Sequence, residues 1–459
     1  MGAQTRRGAA ISATMIVALV GGLIAMSAGQ TPVVHPVDES VLREYTGVYQ
    51  WGPNAFVYLQ MWDEFSGFGK PQLVAFDESG DVRTLYPIDG NNNFFTGPGA
   101  AQSASIESRV AFQRDAAGKI VSLTWQRDGV APRTAKRVAT EKREDVRFTN
   151  RDLQLTGTLI APSTRGKHPA IVLVHGSGAE NRAYMLPWAR FLIRHGIAVF
   201  GYDKRGVGGS TGDWNVATYD DLAGDAIAAV EYLKTRRDID PAQIGLLGIS
   251  QAGWIMPLAA VRSKDVAFLI SISGAGVTPA ETTIDQARNE MTMTGMPAAT
   301  VADITGLMGL QYDFARTGKG WDAYAAARAT LVARMGAPPE TAFPSTPDHP
   351  QWQVIKRTYF YDPAPTLRQL RVPTLAIWGE LDNNIVAVKN KPAWEAALEA
   401  AGNRDHALVV LPKANHAMLE AKVGSNAETK SLQRFVPAYF TTVDDWLARH
   451  LRGYARQGK

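Results

Sequence analysis

The pattern of apolar and polar positions changes twice along this chain. Between Val41 and about Ala139, short runs such as Ala55-Phe56-Val57-Tyr58-Leu59 and Leu73-Val74-Ala75-Phe76 are separated by turn clusters such as Asp77-Glu78-Ser79-Gly80 and Asp89-Gly90-Asn91-Asn92-Asn93. Strands this short, joined by Gly, Asn and Asp, predict an all-β sandwich or barrel. Phe148 to Ile160 then predicts a hairpin turning near Asn150-Arg151-Asp152. Apolar strands at 170–174, 198–202, 244–248 and 267–271 follow, alternating with helices near 184–194 and 218–234. Thr218 and Asp221 predict a capping box for the second helix, and Leu222, Ala226, Ala229, Val230 and Leu233 mark its buried face. Such β–α alternation implies a mainly parallel sheet with helices on both sides. Between Gly276 and Pro365 the alternation gives way to Ala-, Met- and Thr-rich helical periodicity. Strands return at Pro373–Trp378 and Ala407–Leu411.

The chemistry-bearing residues fall at the ends of these strands. Ile244-Gly245-Leu246-Leu247 runs into Gly248-Ile249-Ser250-Gln251-Ala252-Gly253, which presents one serine on a tight turn before a helix. Small residues two places either side of Ser250 are what so sharp a turn requires. Ala170–Val174 runs into His175-Gly176-Ser177-Gly178, a glycine-rich loop suited to offering backbone N–H groups to an oxyanion. The strand ending at Trp378 is followed by Gly379-Glu380-Leu381-Asp382, and the strand ending at Leu411 by Pro412-Lys413-Ala414-Asn415-His416. A serine hydroxyl needs a base to take its proton, and an acid orients that base.

These motifs resemble the α/β-hydrolases, specifically bacterial serine esterases with an HGSG loop. They also carry a Y-D-K-R-G-V-G-x-S-T-G segment, present here as Tyr202–Gly212. Serine aminopeptidases and lysophospholipase-like hydrolases are neighbours of the same resemblance. Ala252 stands where the elbow usually has a second glycine. The resemblance covers about Val146 to Leu451. It implies Ser250 as nucleophile, His416 as base, Asp382 as its orienting acid, and the N–H groups of Gln251 and Ser177 as the oxyanion hole. Glu380 is the alternative acid. His175 competes with His416, but in this family the histidine at that place shapes the oxyanion loop. His195 and His450 are expected at the solvated surface, and Asp203 and Arg205 are expected to tie loops together beside the site. The helical stretch at about 277–365 is expected to be a cap, with Trp321, Tyr324 and Trp352 closing over Ser250 and favouring short acyl chains. A peptidase would need the cap to recognise an amine, through Glu281, Asp285 or Glu290.

Composition narrows this further. Of 459 residues, 45% are hydrophobic and 20% charged, the balance of a globular protein with a full core. A net charge of +4 without a long basic run gives nucleic acid no foothold. The absence of cysteine excludes disulfides and a thiol nucleophile. No metal-ligand or dinucleotide motif occurs, so no cofactor or metal is implied. Arg6-Arg7, an apolar stretch from Ala9 to Met26 and Ser27-Ala28-Gly29 have the layout of a secretory signal peptide, and hence of a periplasmic or secreted protein. An uncleaved membrane anchor is the alternative.

The chain is therefore expected to comprise a signal peptide (1–29), an all-β module (37–140) and a catalytic α/β domain (145–455). The module weakly resembles the lipocalin-like β-modules of some secreted hydrolases. It carries no chemistry-bearing set and is expected to be dispensable for turnover, with the charged stretch Lys136–Asp145 as its link. The expected substrate is a small-molecule acyl ester.

Overall fold

The computed structural model describes residues 33–62, 72–90, 92–103, 105–138, 141–182 and 187–454. The expected signal peptide and the start of the helix near 184–194 lie outside these residues. Among the described residues no helix is long and apolar enough to cross a membrane.

After a short helix α1 (Glu39–Glu44), eight antiparallel strands close into a barrel. They are β1 (Gly47–Gly52), β2 (Ala55–Trp62), β3 (Gln72–Phe76), β4 (Val82–Pro87), β5 (Asn93–Thr96), β6 (Ser108–Arg114), β7 (Ile120–Arg127) and β8 (Arg133–Val138). β8 pairs back onto β1. Successive side chains of a strand point to opposite faces, so each strand sends alternate residues inward. The interior is filled by Tyr49, Leu59, Leu73, Phe94, Phe112 and Leu123, and the rings of Tyr45, Phe94 and Phe112 lie 4.7 to 5.4 Å apart. The barrel is a packed core.

Its outer face is not all solvated. In β2 and β3 the outward residues Tyr58, Trp62, Val74 and Phe76 are as buried as the inward ones. They share one apolar cluster with Phe191, Phe435, Phe440 and Trp446 of the second unit. Trp62 stacks on Phe435 and Phe76 on Phe440, both nearly parallel. Arg190 and Arg194, also buried, reach across to Gln60 and Glu78. By contrast β6 alternates buried and exposed positions, as one wet face requires.

The second unit is an eight-stranded sheet in the order β16-β15-β14-β13-β11-β12-β10-β9. β9 (Glu141–Asn150) and β10 (Leu153–Pro162) form the expected hairpin, with Arg151 at positive φ in the turn. The charged stretch read as a link is largely strand: Lys136 belongs to β8, and Glu141–Asp145 is the first half of β9. An edge strand with one neighbour can carry charge there, which also discourages pairing with another chain. β11 (His168–Val174), β12 (Ala198–Tyr202), β13 (Ile239–Ile249), β14 (Leu269–Ile272), β15 (Thr374–Gly379) and β16 (His406–Leu411) are parallel. The chain steps one way from β11 to β12 and then returns to place β13 on the other side. Clefts for ligands form at the carboxyl ends of strands at such a reversal.

Helices α2 (Pro187–Arg194), α3 (Tyr219–Lys234) and α4 (Ala252–Arg262) connect these strands, and α3 opens with the expected Thr218–Asp221 capping box. Between β14 and β15 stand α5 (Pro279–Met293), α6 (Ala298–Thr317), α7 (Trp321–Met335), α8 (Gln351–Thr358) and the single turn α9 (Ala364–Leu367). The first four build a cap with its own core. α10 (Ala387–Ala401) and α11 (Ala438–His450) complete the fold.

The shared cluster sets an expectation for truncation. A chain beginning at Lys142 loses the cover over Phe191, Leu432, Phe435 and Phe440. Each such side chain contributes about 1.5–3 kcal/mol when buried, against a net stability of about 5–15 kcal/mol. The truncated chain should bind a hydrophobic dye and melt well below the full chain. An unchanged melting temperature would show that the two units are stable separately.

Candidate active site

Ser250 sits between β13 and α4 at φ 59, a left-handed conformation that costs a non-glycine residue about 1–3 kcal/mol. The surroundings hold it there. Its N–H donates to Ile272 O at 3.0 Å, and its carbonyl accepts Gly253 N–H at 2.9 Å. A Cβ on Gly248 would lie 2.4 Å from Ala252 Cβ and 2.6 Å from Val174 O. One on Gly253 would lie 2.6 Å from Gly274 Cα. The small residues two places before and after the serine therefore meet each other. The N-terminus of α4, with the positive end of its dipole, lies directly behind the turn.

The loop after β11 faces this turn. His175 is buried and its Nε2–H donates to Tyr202 O at 2.5 Å. Burial pushes its pKa down to about 3, with the Lys204 charge adding to the effect. It is a neutral structural histidine. Gly176 N–H is committed to the Glu180 carboxylate at 2.7 Å, which leaves the exposed Ser177 as the loop's candidate donor. Gly178 takes φ +93 to complete the turn.

Asp382 and His416 come together at the ends of β15 and β16. Asp382 is buried, and both its carboxylate oxygens lie 3.0 Å from His416 Nδ1. Its Oδ1 also accepts Asn384 N–H at 2.9 Å and Ile385 N–H at 2.8 Å. A carboxylate at Nδ1 fixes the proton there and makes Nε2 the basic nitrogen. Glu380 is exposed and accepts Lys413 N–H instead, so Asp382 is the carboxylate at His416. Gly379 allows the two strand ends to approach, because a Cβ there would lie 2.2 Å from Ala414 O. The His416 carbonyl accepts Ser273 Oγ–H at 3.0 Å. Ser273 directly follows Ile272, whose carbonyl holds Ser250, so two hydrogen bonds and one peptide link the two residues.

Several expectations need correction. His195 is buried against Phe191 and Tyr454 with Asp444 at 3.4 Å, and His450 stacks on Trp446 and pairs with Asp405 at 2.9 Å. His195, just past α2, is in the core and His450 is half-buried, because α11 packs inward where helical position alone suggests an exposed end. Trp321, Tyr324 and Trp352 pack on one another and on Phe314 inside the cap, so the expected closure of these rings over Ser250 is not what buries them. Of the possible amine-binding acids, Glu281 closes a capping box with Thr278, Asp285 pairs with Arg288 and Lys389, and Glu290 accepts Asn426 N–H at 3.3 Å. Asp203 does tie loops, accepting Arg182 N–H and Gly209 N–H, and Arg205 pairs with buried Asp225.

One further charged residue stands at the site. Lys204 is buried, and its ammonium donates to Gly176 O at 2.7 Å, Gly178 O at 3.0 Å and Gln251 Oε1 at 3.0 Å. Its signal in the sequence was a lysine standing just past an apolar strand, where a solvated surface is not expected.

The profile of the alpha/beta hydrolase family matches residues 171–424, and the chain belongs to that family. Over 280 residues it is 24% identical to the esterase EstD of Thermotoga maritima, a match covering 58% of this chain and 59% of that protein. Over 137 residues it is 33% identical to the polyketide transferase GrgF of Penicillium sp., covering 29% and 46%. The chain thus spans about half the length of the curated relatives it matches. Among solved structures, an esterase of Pyrococcus furiosus aligns with 68% of this chain and 92% of its own, at 17% identity and a TM-score of 0.44. An esterase is thus among the proteins this member of the family is similar to.

Gly248→Ala tests the elbow. The added methyl meets a neighbouring Cβ and a backbone carbonyl, and overpacking of this kind costs about 1–3 kcal/mol. Denaturant unfolding should show a loss of that order, and an unchanged midpoint would mean that the turn is looser than described.

Proposed function

We propose that this protein is an exported serine carboxylesterase that cleaves small acyl esters through an acyl-enzyme. The observation that carries the reading is the Asp382 carboxylate held 3.0 Å from His416 Nδ1, at the sheet edge where Ser250 occupies its strained turn. Ser250 Oγ attacks the acyl carbonyl while His416 Nε2 takes its proton. The tetrahedral oxyanion accepts N–H bonds from Ser177 and Gln251, each worth about 3–4 kcal/mol in such sites. Collapse expels the alcohol, which receives the proton from His416. Water then repeats the sequence and releases the acid. Asp382 steadies the imidazolium formed in each half. Ester rather than peptide chemistry is supported by the similarity to the Thermotoga maritima esterase and by the engagement of Glu281 and Asp285 within the cap. The export part of the reading rests on the leader pattern alone, and N-terminal sequencing of the mature protein tests it.

Ser250→Ala should remain folded and lose both p-nitrophenyl ester hydrolysis and labelling by a fluorophosphonate, while aminoacyl anilides are poor substrates of the wild type. Labelling that survives the substitution would overturn the assignment. Asp382→Asn should lower kcat by about 10⁴-fold, because the amide cannot hold the imidazole in the right tautomer.

Activity should fall on acidification as His416 takes up a proton, since only the neutral imidazole is a base. His175, with its pKa pushed down to about 3, stays neutral through that range and cannot produce the limb. A flat rate down to pH 5 in folded protein would exclude a histidine base.

A further inference from the structure

Lys204 places a positive charge in the least accommodating part of the site. Its side chain is 2% exposed, and no step of the proposed reaction uses it as an acid or base. Its three acceptors lie on both elements that carry the proposed oxyanion donors. Gly176 and Gly178 flank Ser177, and Gln251 is itself the second donor. The Tyr219 hydroxyl is the second group hydrogen-bonded to the Gln251 side chain, so that amide is held from two sides.

The peptide geometry gives these contacts a direction. In a trans peptide the carbonyl of one residue and the N–H of the next point opposite ways from one rigid plane. When Lys204 Nζ draws Gly176 O towards itself, the Ser177 N–H must point away from the lysine. The Glu180 carboxylate on Gly176 N–H fixes the preceding peptide as well. A carbonyl that accepts an ionic hydrogen bond is polarised, which makes the N–H of the same peptide a stronger donor. The ammonium also sets a positive charge behind the loop, on the side of the site where negative charge develops.

We propose that Lys204 is a positioning residue of the oxyanion hole, whose ammonium holds the Gly176–Ser177 peptide and Gln251 so that both N–H groups are aimed before substrate arrives. This inference rests on the serine-esterase reading of the same site.

The charged and titratable groups around the lysine fit that role. Glu180 and Asp225 favour its ammonium form, His175 beside it is neutral, and the Trp214 ring lies 5.7 Å from Nζ. Burial outweighs these partners and lowers the lysine pKa to about 8. The sign of the consequence is definite. With a folded pKa below the unfolded value of about 10.5, the buried charge destabilises the fold below pH 8. That cost is relieved as pH rises from about 8 towards 10.5. Over this window Lys204 titration should leave stability level or higher, whereas its positioning effect should be lost.

The test uses the full chain with Lys204→Met and Lys204→Gln. Active sites are titrated with a fluorophosphonate, kcat and KM are measured on p-nitrophenyl butyrate, and inhibition is measured with phenylboronic acid, which forms a tetrahedral adduct on serine. Lys204→Met should lower kcat per labelled site about 10²–10³-fold, the range for loss of an oxyanion donor, with KM changed less than about threefold. Boronate affinity should fall in parallel with kcat, and Lys204→Gln should recover part of both. Wild-type kcat should decline as pH rises through about 8 while the melting temperature does not. A purely structural lysine would reduce the number of labelled sites and leave kcat per site unchanged, and that result overturns the proposal. Should neither variant fold, the wild-type profile decides: kcat that stays level from pH 7.5 to 9.5 overturns it. Failure of Ser250 to label in the wild type would instead sink the esterase reading, so the two failures are told apart.

Discussion

The left-handed turn at Ser250 is the constraint around which the rest of this structure is arranged. A serine at φ 59 is unfavourable by itself and persists only where the neighbouring backbone over-determines it. Here β13 lies between β11 and β14, so the turn is gripped from both sides. Ile272 O holds the serine N–H, Val174 O crowds Gly248, and Gly274 crowds Gly253. Those contacts come from the ends of the two neighbouring strands, β11 and β14. The strand register that places them is itself set by buried apolar residues, because a one-residue slip would exchange the side chains packed on the two faces of the sheet. Core packing thus sustains the local strain.

The loop bearing His416 is secured by different means. Lys413 and Met418 both take positive φ, and Asn415 Oδ1 accepts Ala417 N–H and Leu419 N–H to close the turn. Outside it, Glu420 N–H donates to Arg434 O, and Val436 N–H to Met418 O. The outer segment in turn pairs with the barrel, through Ala100 N–H to Leu432 O, Val82 N–H to Gln433 O and Phe435 N–H to Gly80 O. A continuous layer of backbone hydrogen bonds therefore runs from the barrel to the histidine loop. The barrel thus walls the segment on which the placing of His416 depends. That is a reason for its outer face to be apolar around β2 and β3, where Val48 of β1 and Val82 of β4 join the same cluster.

This coupling also explains what could be read in the sequence. The strands ending at Val174, Ile249, Gly379 and Leu411 were legible because parallel strands buried on both faces read as continuous apolar runs, with the chemistry in the turns just past them. Ser250, Asp382 and His416 stand in those turns. The outer faces of β2 and β3 were not legible, since Tyr58 and Trp62 fit an exposed aromatic strand as well as a docked one until their partner near Phe435 is known. That partner lies hundreds of positions away. Trp321, Tyr324 and Trp352 failed for a similar reason: aromatic residues at helical spacing do not say whether they face a pocket or one another. Lys204 was missed because a charged residue is taken as solvated unless its acceptors are seen, and those acceptors are backbone carbonyls that no side-chain pattern reveals.

The buried charges at the sheet edge have a common logic. The proposed reaction separates charge, leaving an oxyanion on the substrate and an imidazolium on His416. Asp382, satisfied by two backbone N–H groups and the imidazole, lies on the side where positive charge forms. Lys204, satisfied by two backbone carbonyls and an amide, lies on the side of the proposed oxyanion donors. Each ion is costly to bury, and each is compensated by fixed backbone dipoles that need no reorganisation when the reaction occurs. In a low-dielectric cleft such a pair of charges stabilises a separated transition state more than the neutral ground state, which is the condition for lowering a barrier. The helix dipole of α4 acts in the same sense behind Ser250. The two buried ions thus give the site a field oriented along the reaction it is proposed to perform.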